Sequence, residues 1–205
     1  MSEPLRVAVA LTGASGAQYG LRLIQCLVEA GAELSVMISR AAQVVVATET
    51  DLQLPGEASK AQAYLSGLYG ARPGQLQVFS REQWMAPVAS GSGAPAAMVV
   101  CPCSTGSLSA FACGASDNLI ERAVDVALKE RRQLILVPRE APYSAIHLEN
   151  MLKLTQMGAT ILPASPGFYQ RPASVEEMVD FIVARILDQL GVEQTLLPRW
   201  GEKSC

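Results

Sequence analysis

Residues 6–19 read Arg-Val-Ala-Val-Ala-Leu-Thr-Gly-Ala-Ser-Gly-Ala-Gln-Tyr. The five apolar residues Val7 to Leu11 stop at Thr12-Gly13-Ala14-Ser15-Gly16, and a helical pattern starts at Ala17. This is a strand, a turn of small residues and a helix N-terminus in succession. Such a turn lets backbone N–H groups and the positive end of a helix dipole meet an anion, usually a phosphate. Gly13 and Gly16 permit close backbone approach, and Ser15 adds a hydroxyl. The full Gly-x-Gly-x-x-Gly fingerprint is missing, so a nicotinamide dinucleotide is not favoured.

The same architecture recurs further along. Ala96 to Cys101 reads as a buried strand that ends in Pro102-Cys103-Ser104-Thr105-Gly106-Ser107. A helical pattern then runs through Leu108, Phe111, Val124 and Leu128, interrupted from Gly114 to Asn118. Leu34–Ile38, Leu76–Phe79, Leu134–Val137 and Thr160–Leu162 are the other expected strands. Helices are expected up to Gly31, over 41–48, over 146–157 and over 175–190. Ser174 and Glu177 should form a capping box for the last. Residues 51–75 are poorly patterned and predict loop with a short helix. Strands alternating with helices predict a three-layer α/β/α fold with a mainly parallel sheet, Rossmann-like or flavodoxin-like, as one domain over residues 1–205.

Half of the 205 residues are hydrophobic and only 17% are charged, so a sizeable core can form and surface is expected to be hidden in an oligomer. A net charge of −3 argues against broad nucleic-acid or membrane-surface binding. No apolar run approaches the ~20 residues of a membrane span, and no signal peptide precedes the first strand. Cys26, Cys101, Cys103, Cys113 and Cys205 are an odd number in apolar or helical contexts. They read as reduced packing residues of a cytoplasmic protein.

In an open parallel sheet, ligands sit beyond the carboxyl ends of the strands. Those ends supply Gly13, Ala14 and Ser15, then Ser39, then Ser104, Thr105, Gly106 and Ser107, then Arg139-Glu140, and finally 163–169. Two serine-rich turns that open helices, with an arginine after a third strand, point to a phosphorylated ligand. Arg122 and Lys129 share a helix face, for which a solvated charged surface with Glu121 and Glu130 is the simpler reading. Arg185 stands among Phe181, Ile182, Val183, Ile186 and Leu187, where a cation needs a partner. Burial would raise the pKa of Glu49 or Glu140 toward acid/base duty, although capping or surface pairing would suit either equally. Trp84, Tyr169 and Trp200 fall in loops or the tail, as lids or as walls of an apolar pocket. Ser90-Gly91-Ser92-Gly93 reads as a linker or a ligand loop. His147 reads as a helix-surface or capping histidine, and no metal-ligand cluster is expected.

Six stretches in order carry a resemblance. They are Thr12-Gly13-Ala14-Ser15-Gly16, Cys103 to Leu108, Asp117-Asn118-Leu119, Pro138-Arg139-Glu140-Ala141-Pro142, His147-Leu148-Glu149-Asn150-Met151 and Pro166-Gly167-Phe168-Tyr169. Over nearly its whole length the chain resembles the UbiX-type flavin prenyltransferases, long described as aromatic-acid decarboxylases. The resemblance implies transfer of a dimethylallyl group from dimethylallyl monophosphate to reduced FMN, at N5 and C6, without a metal. The product would serve a UbiD-type decarboxylase, as in ubiquinone biosynthesis. It further implies FMN contacts from Gly13, Ala14, Ser15, Ser39, Ser104 to Ser107 and Arg139. Tyr169 and Arg185 would hold the donor phosphate with Ser90, Arg122 and Lys129. Glu49 and Glu140 would transfer protons, assisted by Ser15, and Trp84 and Trp200 would border the dimethylallyl pocket. A dodecamer with sites between subunits is implied, with the tail from about residue 191 on a neighbour. Two other readings remain: an FMN-dependent decarboxylase of the related superfamily and a non-catalytic flavin carrier. The former expects a histidine after the first helix, and residues 41–75 contain none.

Overall fold

The computed structural model describes residues 3–198; Trp200, Cys205 and the rest of the tail from 199 lie outside the described residues. The strands are β1 (Arg6–Leu11), β2 (Glu33–Ile38), β3 (Leu76–Phe79), β4 (Ala97–Cys103), β5 (Gln133–Pro138) and β6 (Thr160–Ile161). All pair in parallel, in the order β3-β2-β1-β4-β5-β6. That is the Rossmann order, which decides between the two expected topologies. The helices are α1 (Ala17–Glu29), α2 (Arg40–Glu49), α3 (Ala58–Tyr69), α4 (Thr105–Cys113), α5 (Leu119–Lys129), α6 (Ala145–Gln156) and α7 (Val175–Leu190).

Strand alternation divides the core into two layers. Val7, Val9 and Leu11 of β1 face α1, α2, α3 and α7, whereas Ala8 and Ala10 face α4, α5 and α6. The final helix therefore crosses back over the sheet to lie beside α1, where Arg22 Nε meets Asp180 Oδ1 at 2.8 Å. The break expected at 114–118 is present. Gly114 adopts the left-handed conformation that closes α4, and the Asn118 side chain caps α5 through the N–H groups of Ile120 and Glu121.

Three local expectations change. Residues 51–75 carry a full helix, α3, with Ala61 and Leu65 buried under β3. Ala61, Tyr64, Leu65, Leu68 and Tyr69 recur at helical spacing, but only Ala61 and Leu65 of this stripe are buried and Gly67 interrupts it, so packing on the sheet holds the helix. At α7 only half of the capping box forms: Ser174 Oγ accepts from Glu177 N, but Glu177 reaches one residue further back, to Ala173 N, at 2.7 Å. A reciprocal box forms instead at α6, where His147 Nδ1 accepts from Ser144 N and Ser144 Oγ accepts from His147 N. The histidine is thus a capping residue. Among the cysteines, Cys26, Cys101 and Cys103 are buried, whereas Cys113 is exposed at the last turn of α4 and is not a packing residue. Burial raises the Cys103 thiol to about 12 and the Cys26 thiol to about 11.

Candidate functional site

The chain reverses its direction of sheet growth between β1 and β4, and the turns after these two strands face each other there. Thr12, only 2% exposed, joins them. Its hydroxyl donates to Pro102 O at 2.9 Å and accepts from Ser104 N at 2.7 Å. Ser39 N in turn donates to Leu11 O at 3.0 Å, bringing the end of β2 to the same place. Ser39 caps α2 by accepting from Ala42 N, and Ser104 caps α4 by accepting from Ser107 N. Gly13 lies so close to α2 that a Cβ there would stand 2.4 Å from Ala41 Cβ. Gly16 has φ of 104°, a conformation that favours glycine.

The anion expected at the N-terminus of α1 is present, but it comes from the chain itself. Glu49 Oε2 accepts from Gly16 N at 2.8 Å and from Ala17 N at 3.0 Å. Burial pushes this carboxyl up in pKa, but hydrogen bonds from Ser15, Gly16 and Ala17 and the charge of Arg139 outweigh it and leave a net lowering. This corrects the expectation that burial would raise Glu49. Arg139 reaches across from β5, with Nε donating to Ser15 O at 3.2 Å. Beside it, Glu140 Oε1 accepts from Ala141 N at 3.1 Å, and Oε2 lies 3.5 Å from Thr105 Oγ1. Ser15, Glu49, Thr105, Arg139 and Glu140 therefore form one cluster over the ends of β1, β4 and β5.

Next to this cluster opens a pocket of about 110 Å³ over the ends of β1 and β2. Its floor is apolar (Met37, Phe79, Phe111), and Ser39, Ser107, Asn118 and Arg81 also line it. The residues at the N-termini of α2, α4 and α5 thus share one cavity. α1 is capped by Glu49, whereas α2, α4 and α5 carry the short polar caps Ser39, Ser104 and Asn118 at this end of the sheet. Arg81 and Thr12 were missed by sequence reasoning. Thr12 read only as the first residue of the small-residue turn, with no role of its own, and Arg81 sits in a segment without pattern. Asn118 was noticed only within a motif.

The residues expected to hold a donor phosphate do not meet within one chain. Ser90, Arg122 and Lys129 lie on the α5 side of the sheet. There Arg122 Nε donates to Ala89 O at 3.1 Å and pairs with Asp125 at 2.8 Å, and Lys129 pairs with Glu130 at 2.5 Å. Tyr169 and Arg185 lie on the other side, sharing a surface pocket of about 690 Å³ beside α7. The Tyr169 ring meets Phe181 edge-on at 5.6 Å. Arg185 is exposed and pairs with Asp188 at 2.7 Å. The apolar residues around it in sequence face the core, the helical repeat turns position 185 outward, and the partner that a cation beside an apolar face needs is Asp188. Trp84 is 45% exposed in its loop. Among the described residues, no three His, Cys, Asp or Glu gather as a metal site, and no helix is long and apolar enough to cross a membrane.

Fold and site together define an α/β protein of the nucleotide-binding type, with its ligand position at the switch point of a Rossmann-ordered sheet. A family model described as Flavoprotein matches residues 1–187. The flavin prenyltransferase UbiX of Pseudomonas aeruginosa is 64% identical over 99% of this chain and 97% of its own length. That of Methanocaldococcus jannaschii is 41% identical over 96% and 99%. The crystal structure of AnUbiX (PadA1) with FMN and dimethylallyl pyrophosphate superposes with a TM-score of 0.87 at 36% identity, over 98% of this chain and 100% of that one. A dodecameric FMN-dependent UbiX-like decarboxylase from Escherichia coli O157:H7 gives a TM-score of 0.83 at 38% identity, over 96% and 99%. The chain belongs to the flavoprotein family, among its UbiX-type flavin prenyltransferases.

Proposed function

We propose that this chain transfers a dimethylallyl group from dimethylallyl monophosphate to reduced FMN and releases prenylated FMN to a UbiD-type decarboxylase in the cytoplasm. The observation that carries the reading is the junction of two features at the ends of β1, β4 and β5. A pocket lined by Ser39, Ser107, Asn118 and Arg81 suits a phosphate, and it adjoins the Ser15–Glu49–Arg139–Glu140 cluster. Reduced FMN supplies the nucleophilic N5 and C6. The phosphate end belongs in the pocket, with Gly13, Ala14, Thr105 and Gly106 along the backbone path and Arg139 bordering the reacting end.

Glu49, held anionic, accepts a proton through the Ser15 hydroxyl, and Glu140 stands across Thr105 as the second carboxylate. Trp84 walls the dimethylallyl pocket and stabilises cationic character; Trp200, expected beside it, lies outside the described residues. Tyr169 and Arg185 from one subunit meet Ser90, Arg122 and Lys129 of another around the donor phosphate. Their positions on opposite faces of one sheet support a shared site, and a dodecamer with the tail from about 191 on a neighbour accommodates it. The two other readings gain no specific observation. The more distant solved decarboxylases, at 15–18% identity, share the fold alone.

Anaerobic incubation with reduced FMN and dimethylallyl monophosphate, followed by mass spectrometry of the released flavin, tests the proposal. A flavin heavier by one five-carbon unit is expected. Unchanged flavin with both the monophosphate and the pyrophosphate donor would overturn it.

A further inference from the structure

The pocket at the ends of β1 and β2 contains one cation, Arg81. Arg81 follows β3, and its backbone O accepts from Leu119 N at 2.8 Å, which ties it to the start of α5. Its guanidinium makes no ion pair or side-chain hydrogen bond among the described residues, unlike those of Arg22, Arg122 and Arg185, which each meet a carboxylate. Arg81 is the cationic member of the lining. The acidic member, Glu121, is engaged by Asp117 N at 2.8 Å. Around it are the Ser39 and Ser107 hydroxyls and the Asn118 amide, all on the rim of an apolar floor.

We propose that Arg81 binds the terminal phosphate of the flavin and makes this pocket selective for FMN over riboflavin. The inference rests on the flavin-binding reading above and adds a specificity residue to it. A guanidinium offers a planar fork of donors that matches two phosphate oxygens, which a neutral ribityl hydroxyl cannot use. Because the site stands open to solvent, the attraction is partly screened, and preference for FMN should weaken as salt rises.

Binding of oxidised FMN and of riboflavin, followed by quenching of flavin fluorescence, tests the role without requiring turnover. Arg81→Ala should weaken FMN binding about 10- to 100-fold, the range for a hydrogen bond to a charged group. Riboflavin affinity should stay within about two-fold, and Arg81→Lys should recover part of the loss. A melting scan of each variant shows that the fold is retained. Unchanged FMN affinity in Arg81→Ala overturns the proposal, and so does an equal loss for FMN and riboflavin. In either case, prenyl transfer by the unaltered protein would leave the broader reading standing. Failure of the unaltered protein to bind any flavin would sink that reading first.

Discussion

Glu49 shows how one residue can serve folding and chemistry together. Its carboxylate sits on the N–H groups of Gly16 and Ala17, closing the N-terminus of α1 from the far end of α2. Glu49→Gln keeps an acceptor but loses the charge that faces the helix dipole, a loss of about 0.3–1 kcal/mol. The folded pKa lies below the unfolded one, so this contribution is complete above the ordinary carboxylate value of ~4.3. It disappears as pH falls through the lower folded value. Melting curves should show a constant gap between the two proteins near neutrality that narrows in acid. A gap that widens in acid would contradict the lowered pKa. Turnover of the same variant should fall by about 10²–10⁴ if the carboxylate moves a proton.

At the scale of elements, the site depends on how closely three strand ends approach. Gly13 lets β1 and α2 touch, and Gly13→Ala would force its Cβ to 2.4 Å from that of Ala41. Overpacking of this kind costs about 1–3 kcal/mol. Moving α2 also moves Ser39, so FMN affinity should drop with stability in chemical denaturation. Adding Ala41→Gly should recover the affinity, although glycine in a helix itself costs up to about 1 kcal/mol. Failure of that double variant to regain FMN binding would show that the contact does not govern the pocket. Thr12→Val probes the other junction. It leaves Ser104 N without its buried partner, which costs about 1–3 kcal/mol and loosens α4.

At the scale of the whole molecule, the two halves of the expected donor site are separated by the sheet. Arg185 stands on α7, in the layer of α1, and Lys129 ends α5 in the opposite layer. If each site draws one residue from each of two chains, Arg185→Ala and Lys129→Ala are each inactive alone. Mixed oligomers then contain some sites with both residues intact. Unfolding and refolding the two together should restore a measurable fraction of the prenylation rate. Mixed oligomers that demonstrably form yet remain inactive would rule out a shared site.

The linear order of residues determined much of this protein. The apolar run Val7 to Leu11 and its small-residue turn, repeated before Ser104, set a parallel α/β sheet with ligand-facing turns. Both follow from local periodicity and from the small residues that sharp turns need. Six ordered motifs specified the family as well. Tertiary structure decided what depends on long-range approach. It selected the Rossmann strand order and packed α3, whose own pattern is weak. It turned Arg185 outward, and brought Glu49 across 33 positions to cap α1, reversing the expected direction of its pKa. It also set Arg81 beside Ser39 and Ser107, residues with no sequence relation to one another. Local propensity operates over a few residues. A carboxylate's pKa or a pocket's charge depends on groups that only the folded sheet assembles.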